Sequence, residues 1–267
     1  MIAALSIILF ILLIIIGGKR GLKTFITLYV NLFLVLTIIV IVGWGFNPII
    51  PTIVICMLIS LIILFLLNGF NKKTIASFIS VSIILILFAF ITFIVGNNAY
   101  IQGYSEETVE SISYVTYNVG LDLISLSNCV IIIGLIGNII DTSIAISSAL
   151  FEVKENNPKL KQSELFTSGM NIGKDILGTT TNTLFFAFLG SYMTLLIFYQ
   201  DHKYDILTIL NNKVFVSEII RIMLSGIASF LIIPISSYIT SLICTKGIKN
   251  NEKIKNSIWK QKPNSSR

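Results

Sequence analysis

Residues 49–67 read IIPTIVICMLISLIILFLL, and residues 75–95 read IASFISVSIILILFAFITFIV. Between them lies only Asn68-Gly69-Phe70-Asn71-Lys72-Lys73. Neither run contains an acidic or basic residue, and each is as long as the roughly 20 residues that a helix needs to cross about 30 Å of hydrocarbon. Strict alternation is missing, and Ile, Leu and Phe occur all round the helical projection. A soluble amphipathic helix shows one apolar stripe; these segments have no polar side. Two such runs joined by a six-residue turn predict an antiparallel pair of membrane-spanning helices.

The same pattern extends along the chain. Of 267 residues 55% are hydrophobic and 12% charged, and the mean hydropathy is +0.90. Soluble domains carry about 25% charged residues. Further runs at 2–16, 25–44, 123–147, 176–199 and 215–243 bring the total to about seven spans. The predicted fold class is an all-α, polytopic transmembrane bundle. Residues 1–245 form one transmembrane domain and 246–267 a basic tail. The first run has the length of a signal-peptide core, but no basic segment precedes it. It is followed by Gly17-Gly18-Lys19-Arg20-Gly21 instead of a small-residue cleavage site, so it reads as a short retained span. Gly43-Trp44-Gly45-Phe46-Asn47-Pro48 marks a tight, uncharged hairpin.

Charge sets the orientation. Lys19, Arg20, Lys23, Lys72, Lys73, Lys154, Lys159, Lys161, Lys174 and seven basic residues from Lys246 to Arg267 fall on one side, sixteen in all. Lys203 and Lys213 are the two on the other. The positive-inside rule puts the sixteen in the cytoplasm. The N-terminus is then outside and the C-terminus cytoplasmic, which requires an odd number of spans. The pI near 9.2 therefore reports topology, and no nucleic-acid partner is expected; the expected partner is the bilayer. Cys56, Cys129 and Cys244 sit in three different apolar runs without metal-type spacing, so they read as buried apolar groups. No metal and no cofactor are expected.

Two connecting segments have their own pattern. Residues 96–122 carry Glu106, Glu107, Glu110 and Asp122 and no basic residue. Ser105 is placed to cap a surface helix there, which could attract cations or have no function. On the inner side, Asn157 and Pro158 predict a helix start, with Leu160, Leu165, Phe166 and Met170 forming an interfacial helix before the sixth span.

Polar side chains inside a span usually face the bundle interior or a water-filled cavity. Asn138 and Asp141 share a face of the fifth span with Ala145. In the sixth, Gly178 is followed by Thr179-Thr180-Thr181-Asn182-Thr183, and Thr179, Asn182 and Thr183 share a face. Counted from the inner flanks Glu152 and Asp175, Asp141 and Asn182 lie about 16 and 10 Å deep. Asn138, Asp141, Thr179, Asn182 and Thr183 are thus expected at one level in the cytoplasmic half, as an interhelical hydrogen-bond cluster or the wall of a solute or ion pathway. Gly169, Gly173, Lys174, Asp175 and Gly178 form the inner-end motif. Glu218 and Arg221, three residues apart, are placed to pair near the outer end of the seventh span, or to snorkel toward the interface. Pro234 predicts a kink. His202 is the only histidine. With no HExxH, Walker-type loop or GxSxG present, enzymatic activity is not expected.

These residues carry a family resemblance. Gly137-x-x-x-Asp141 continued through Ile146-Ser147-Ser148-Ala149-Leu150 to Glu152 is one signature. Ser168-Gly169-Met170-x-Ile172-Gly173-Lys174-Asp175-Ile176-x-Gly178-Thr179-x-Thr181-Asn182-Thr183-Leu184, ending in Gly190-Ser191, is a second and longer one. Ile101-Gln102-Gly103-Tyr104 with Glu106 and Glu107, and Glu218-Ile219-x-Arg221, are weaker ones. Together, over about residues 70–245, they resemble the YibE/F-like bacterial membrane proteins. Lys174, Thr180 and Asn138 depart mildly from the family pattern. The resemblance implies a bacterial cytoplasmic-membrane location but no biochemical activity. It places this chain with the shorter form of the family and allows a hetero-oligomer with a longer paralogue. Two functions remain open: a transport or permease component acting on an unidentified solute or ion, and a non-transporting scaffold or regulatory subunit.

Overall fold

A computed structural model describes residues 1–99, 123–201 and 203–260. Seven helices account for nearly all of them, and no strand occurs among the described residues. They are α1 (Ile2–Gly43), α2 (Ile49–Asn68), α3 (Lys72–Ala99), α4 (Leu123–Asn156), α5 (Gln162–Asp201), the short α6 (Ile206–Asn211) and α7 (Lys213–Lys260). Five stretches are long and apolar enough to cross a membrane: Ala4–Gly43, Ile49–Asn68, Lys72–Gly96, Ile124–Asn156 and Phe215–Thr245. The expected surface helix around Ser105, with Glu106, Glu107, Glu110 and Asp122, lies outside the described residues, as do His202 and the end of the basic tail.

Helix α1 is broken within its length, at Gly18. Gly18 has φ 52° and ψ −129°, a backbone conformation that residues with a Cβ rarely adopt. The rings of Phe10 and Phe25 are 4.7 Å apart. Fifteen residues of straight helix would separate them by about 22 Å, so the chain doubles back at Gly18 and α1 is a hairpin of two arms. The predicted runs 2–16 and 25–44 are these arms. Arg20 at the bend donates to the Asn68 side chain at 3.1 Å, which holds the first hairpin's turn beside the α2–α3 turn. The α2–α3 turn itself closes with a reciprocal cap: the Asn71 side chain accepts from the Thr74 N–H and the Thr74 hydroxyl from the Asn71 N–H.

At the centre is α4, which packs against α2, α3, α5 and α7. Its Ile132, Leu135, Ile139 and Ile140 meet Leu64 of α2, Ile84, Leu85 and Phe88 of α3, and Ala228 and Ile232 of α7. The contacts also give the helix directions. Ser77 meets Ser143, and Gly96 meets Asn128, so α3 and α4 are antiparallel. Gly134 touches Arg221 and Ser147 touches Thr240, so α4 and α7 are parallel. Gly169 faces Ser237 and Tyr192 faces Glu218, so α5 is antiparallel to both.

Two expectations about the inner connection are corrected. Pro158 does not begin a helix: it follows Asn157 in a turn closed by the Leu160 N–H on the Asn157 carbonyl at 3.2 Å. Proline favours that second turn position because its φ is already fixed. The next helix starts at Gln162, where the Glu164 carboxylate accepts from the Lys161 N–H at 2.7 Å. Nor is the expected interfacial helix separate from the run at 176–199. One 40-residue helix, about 60 Å long, carries both. Buried Lys154 holds the turn from the side, donating to the carbonyls of Pro158 and Leu160 at 2.8 and 2.7 Å.

Candidate functional site

A hydroxyl seam runs between α3, α4 and α7. Ser143 and Ser147 of α4 and Ser236 and Thr240 of α7 are fully buried. Their oxygens are 3.2 Å apart for Ser143–Ser236, 3.3 Å for Ser147–Ser236 and 2.9 Å for Ser147–Thr240. Ser77 of α3 joins by donating to the Ser143 carbonyl at 3.4 Å. Outward along the same two helices, the Asn138 amide donates to the Ser229 hydroxyl. One turn further out, Ser225 is buried with an unpartnered hydroxyl. Small hydroxyl residues let helices approach closely and replace lipid-inaccessible hydrogen bonds, at about 0.6–2 kcal/mol per contact.

Toward the N-terminal end of α7 Glu218 pairs with Arg221 as expected. The pair does more than snorkel. Glu218 is buried and accepts from the Tyr192 hydroxyl of α5 at 2.7 Å, while the Arg221 stem lies against Gly134 of α4. The pair therefore ties α4, α5 and α7 together. The signal for Tyr192 was absent from the sequence, since nothing local marks a tyrosine as the partner of a carboxylate 26 residues away.

The remaining predicted residues are arranged differently from the expected cluster. Asp141 is exposed on α4, on a stripe with Val130, Gly134, Gly137 and Ala145. Among the described residues its carboxylate has no hydrogen-bond or ion-pair partner. On α5 the hydroxyls of Thr179, Thr181 and Thr183 bond to carbonyls of their own helix, and Asn182 is exposed. The helix register explains the separation. Asp141 falls between Asn138, which meets Ser229, and Ser143, which meets Ser236, and so is level with about Ile233 of α7. Ile233 seats on Gly173. Asp141 is therefore level with Gly173 and the exposed Lys174, while Asn182 is nine residues farther out, about 13 Å. The depth count took Asp175 as the start of its helix, whereas α5 begins at Gln162.

The inner-end motif divides in two. Gly169 and Gly173 are buried where α5 crosses α7: a methyl group at Gly169 would sit 2.6 Å from the Ser237 Oγ and 2.9 Å from Leu150. Lys174, Asp175 and Gly178 are exposed. Outward of Gly173 as far as Tyr199, no described residue of α5 is buried. Cys56, Cys129 and Cys244 are free and buried, and no cluster of three potential metal ligands occurs among the described residues.

The YibE/F-like protein family matches residues 5–246, which extends the resemblance back into the first hairpin. No curated protein and no solved structure matches the chain.

Proposed function

We propose that this chain, which belongs to the YibE/F-like protein family, is a transport-type component of the cytoplasmic membrane, with Asp141 on the wall of its polar pathway. In this reading it has seven spans. The reversal at Gly18 makes two of α1, and α5 adds one that its polar run from Thr179 to Thr183 disguises. The N-terminus is outside and the C-terminus inside, as the charge asymmetry requires.

One observation carries the proposal. Asp141 lies in the middle of the apolar stretch Ile124–Asn156, yet it is exposed and unpartnered among the described residues. A carboxylate presented to lipid near a helix centre costs about 2.5–3.5 kcal/mol. The hydroxyls nearby are satisfied inside the bundle, so hydrogen bonding does not explain why the acid points outward. Water on that face removes the penalty, and a wetted face within the membrane is what a pathway requires. A second reading is favoured by the small residues of the same stripe, Gly134, Gly137 and Ala145, which suit close approach of a helix from another chain. The protein would then be a scaffolding or regulatory subunit, and the partner would cover Asp141.

Cysteine accessibility separates the two. The native cysteines are buried, so Ala145→Cys gives a clean background in intact membranes. Modification by a small, membrane-impermeant thiol reagent, together with loss of the deletion-strain phenotype's rescue in Asp141→Asn, supports the pathway. An unreactive Ala145→Cys that cross-links to another polypeptide, with Asp141→Asn fully active, overturns it in favour of the subunit.

A further inference from the structure

At the inner ends of α5 and α7 is a cavity of about 520 Å³ lined by Lys161, Gln162, Ser163, Phe166 and Tyr238. It lies apart from the hydroxyl seam and from Asp141. Its lining is graded. The cation, the amide and the hydroxyl of residues 161–163 stand together where α5 begins. The Phe166 ring lies one turn into the helix and meets Tyr238 edge-on at 6.5 Å. Tyr238 is half exposed and seven residues short of Thr245, where the apolar stretch of α7 ends, about 10 Å along the helix. The polar end is thus at the depth of lipid headgroups and the aromatic end at the depth of acyl chains.

We propose that this cavity is a binding site for an anionic glycerophospholipid, its phosphate held by Lys161 and Ser163 and one acyl chain lying along Phe166 and Tyr238. A free anion would leave the aromatic wall uncovered, and a neutral lipid would leave Lys161 without a counter-charge. Glu164, three residues on, turns its carboxylate to the Lys161 N–H, and among the described residues Lys161 makes no ion pair. Exposed Lys159 is close in sequence but outside the lining, and adds to the positive field that attracts anionic headgroups.

The test uses the full chain purified in detergent, with native mass spectrometry and titration by phosphatidylglycerol, phosphatidylcholine or inorganic phosphate. Saturable uptake of phosphatidylglycerol is expected. Lys161→Gln should weaken it about fivefold, the contribution of one lysine at an anionic surface, whereas Lys159→Gln should weaken it less than twofold. Phe166→Ala should reduce uptake while thermal stability is followed on the same sample. Phe166→Leu, which keeps apolar bulk, guards against misfolding. Equal losses in the two lysine variants would reduce the site to general surface charge and overturn the proposal. So would equal binding of phosphatidylcholine, or Lys161-dependent binding of inorganic phosphate as tight as that of the lipid.

Discussion

Gly173→Ala should destabilise the bundle, and the structure gives the size of the effect. A methyl group at Gly173 would overlap the Ile233 Cγ2 and lie 3.2 Å from both its Cβ and Cγ1. Ile233 cannot swing aside, because a β-branched side chain on a helix has one strongly preferred rotamer. The two helices must separate instead, and forced overpacking of this kind costs about 1–3 kcal/mol. Replacing glycine by alanine in a helix also gains up to about 1 kcal/mol, which would mask part of the loss. Gly178→Ala supplies the correction: it has the same gain on the same helix, and nothing lies within 4 Å of its added methyl. The stability difference between the two variants is therefore the packing term, 10-fold or more in the folding equilibrium at the middle of that range. Thermal and denaturant unfolding in one detergent measures it. Ile233→Ala should partly rescue Gly173→Ala, with a favourable coupling of about 0.5–3 kcal/mol. Equal stability of Gly173→Ala and Gly178→Ala would refute the α5–α7 register, and with it the level assigned to Asp141.

Topology and the inner turn yield two further expectations. A reporter fused after Arg267 should report a cytoplasmic location, and a thiol tag near Ser105 should react from outside; opposite labelling at either site discards the seven-span orientation. Lys154→Met keeps the buried stem but leaves the Pro158 and Leu160 carbonyls without their donor, a loss of about 1.5–3 kcal/mol. Limited proteolysis should then cut residues 157–161 faster than in Lys159→Met, and equal rates would show that the lysine does not hold the turn.

The apolar stretches of α1, α2, α3, α4 and α7 were legible because uninterrupted apolar length is a direct physical requirement of the bilayer. The first hairpin was legible because Gly17-Gly18-Lys19-Arg20 combines backbone freedom with charge that lipid does not accept. The limits of α5 were not legible. Lys174 and Asp175 look like an interfacial flank, yet a helix satisfies its own backbone and can carry such residues through without a break. That misplaced flank shifted the depth of Asn182 by more than two turns relative to Asp141. The hydroxyl seam was half visible. Ser143 and Ser147 stand out on α4, but Ser225, Ser229, Ser236 and Thr240 are dispersed among apolar residues of α7, and their spacing of four, seven and four acquires meaning only once a parallel neighbour is known. The Glu218–Arg221 pair was local and so readable, while its third member, Tyr192, depends on tertiary contact alone.

The distribution of burial assigns different mechanical roles to the helices. Helices α3, α4 and α7 share an apolar core and the hydroxyl seam, and sliding any one of them would break buried hydrogen bonds in a medium that offers no replacement. By contrast, α5 is held toward its start by buried Leu165 and the Gly169–Gly173 crossing and toward its end by the Tyr192–Glu218 bond and buried Tyr199 beside Phe215, and between Gly173 and Tyr192 it buries nothing among the described residues. Regions with few buried contacts open at the lowest free energy. If Asp141 lines a pathway, the element placed to uncover and cover it is α5, because the stretch of that helix with no buried residue begins at Lys174, level with Asp141. The Tyr192 bond then acts as the outer latch. Tyr192→Phe should release it without a cavity, raising thiol labelling of Ala145→Cys while leaving Gly173-dependent stability unchanged. Labelling that stays at the parent level in Tyr192→Phe would place the moving part elsewhere.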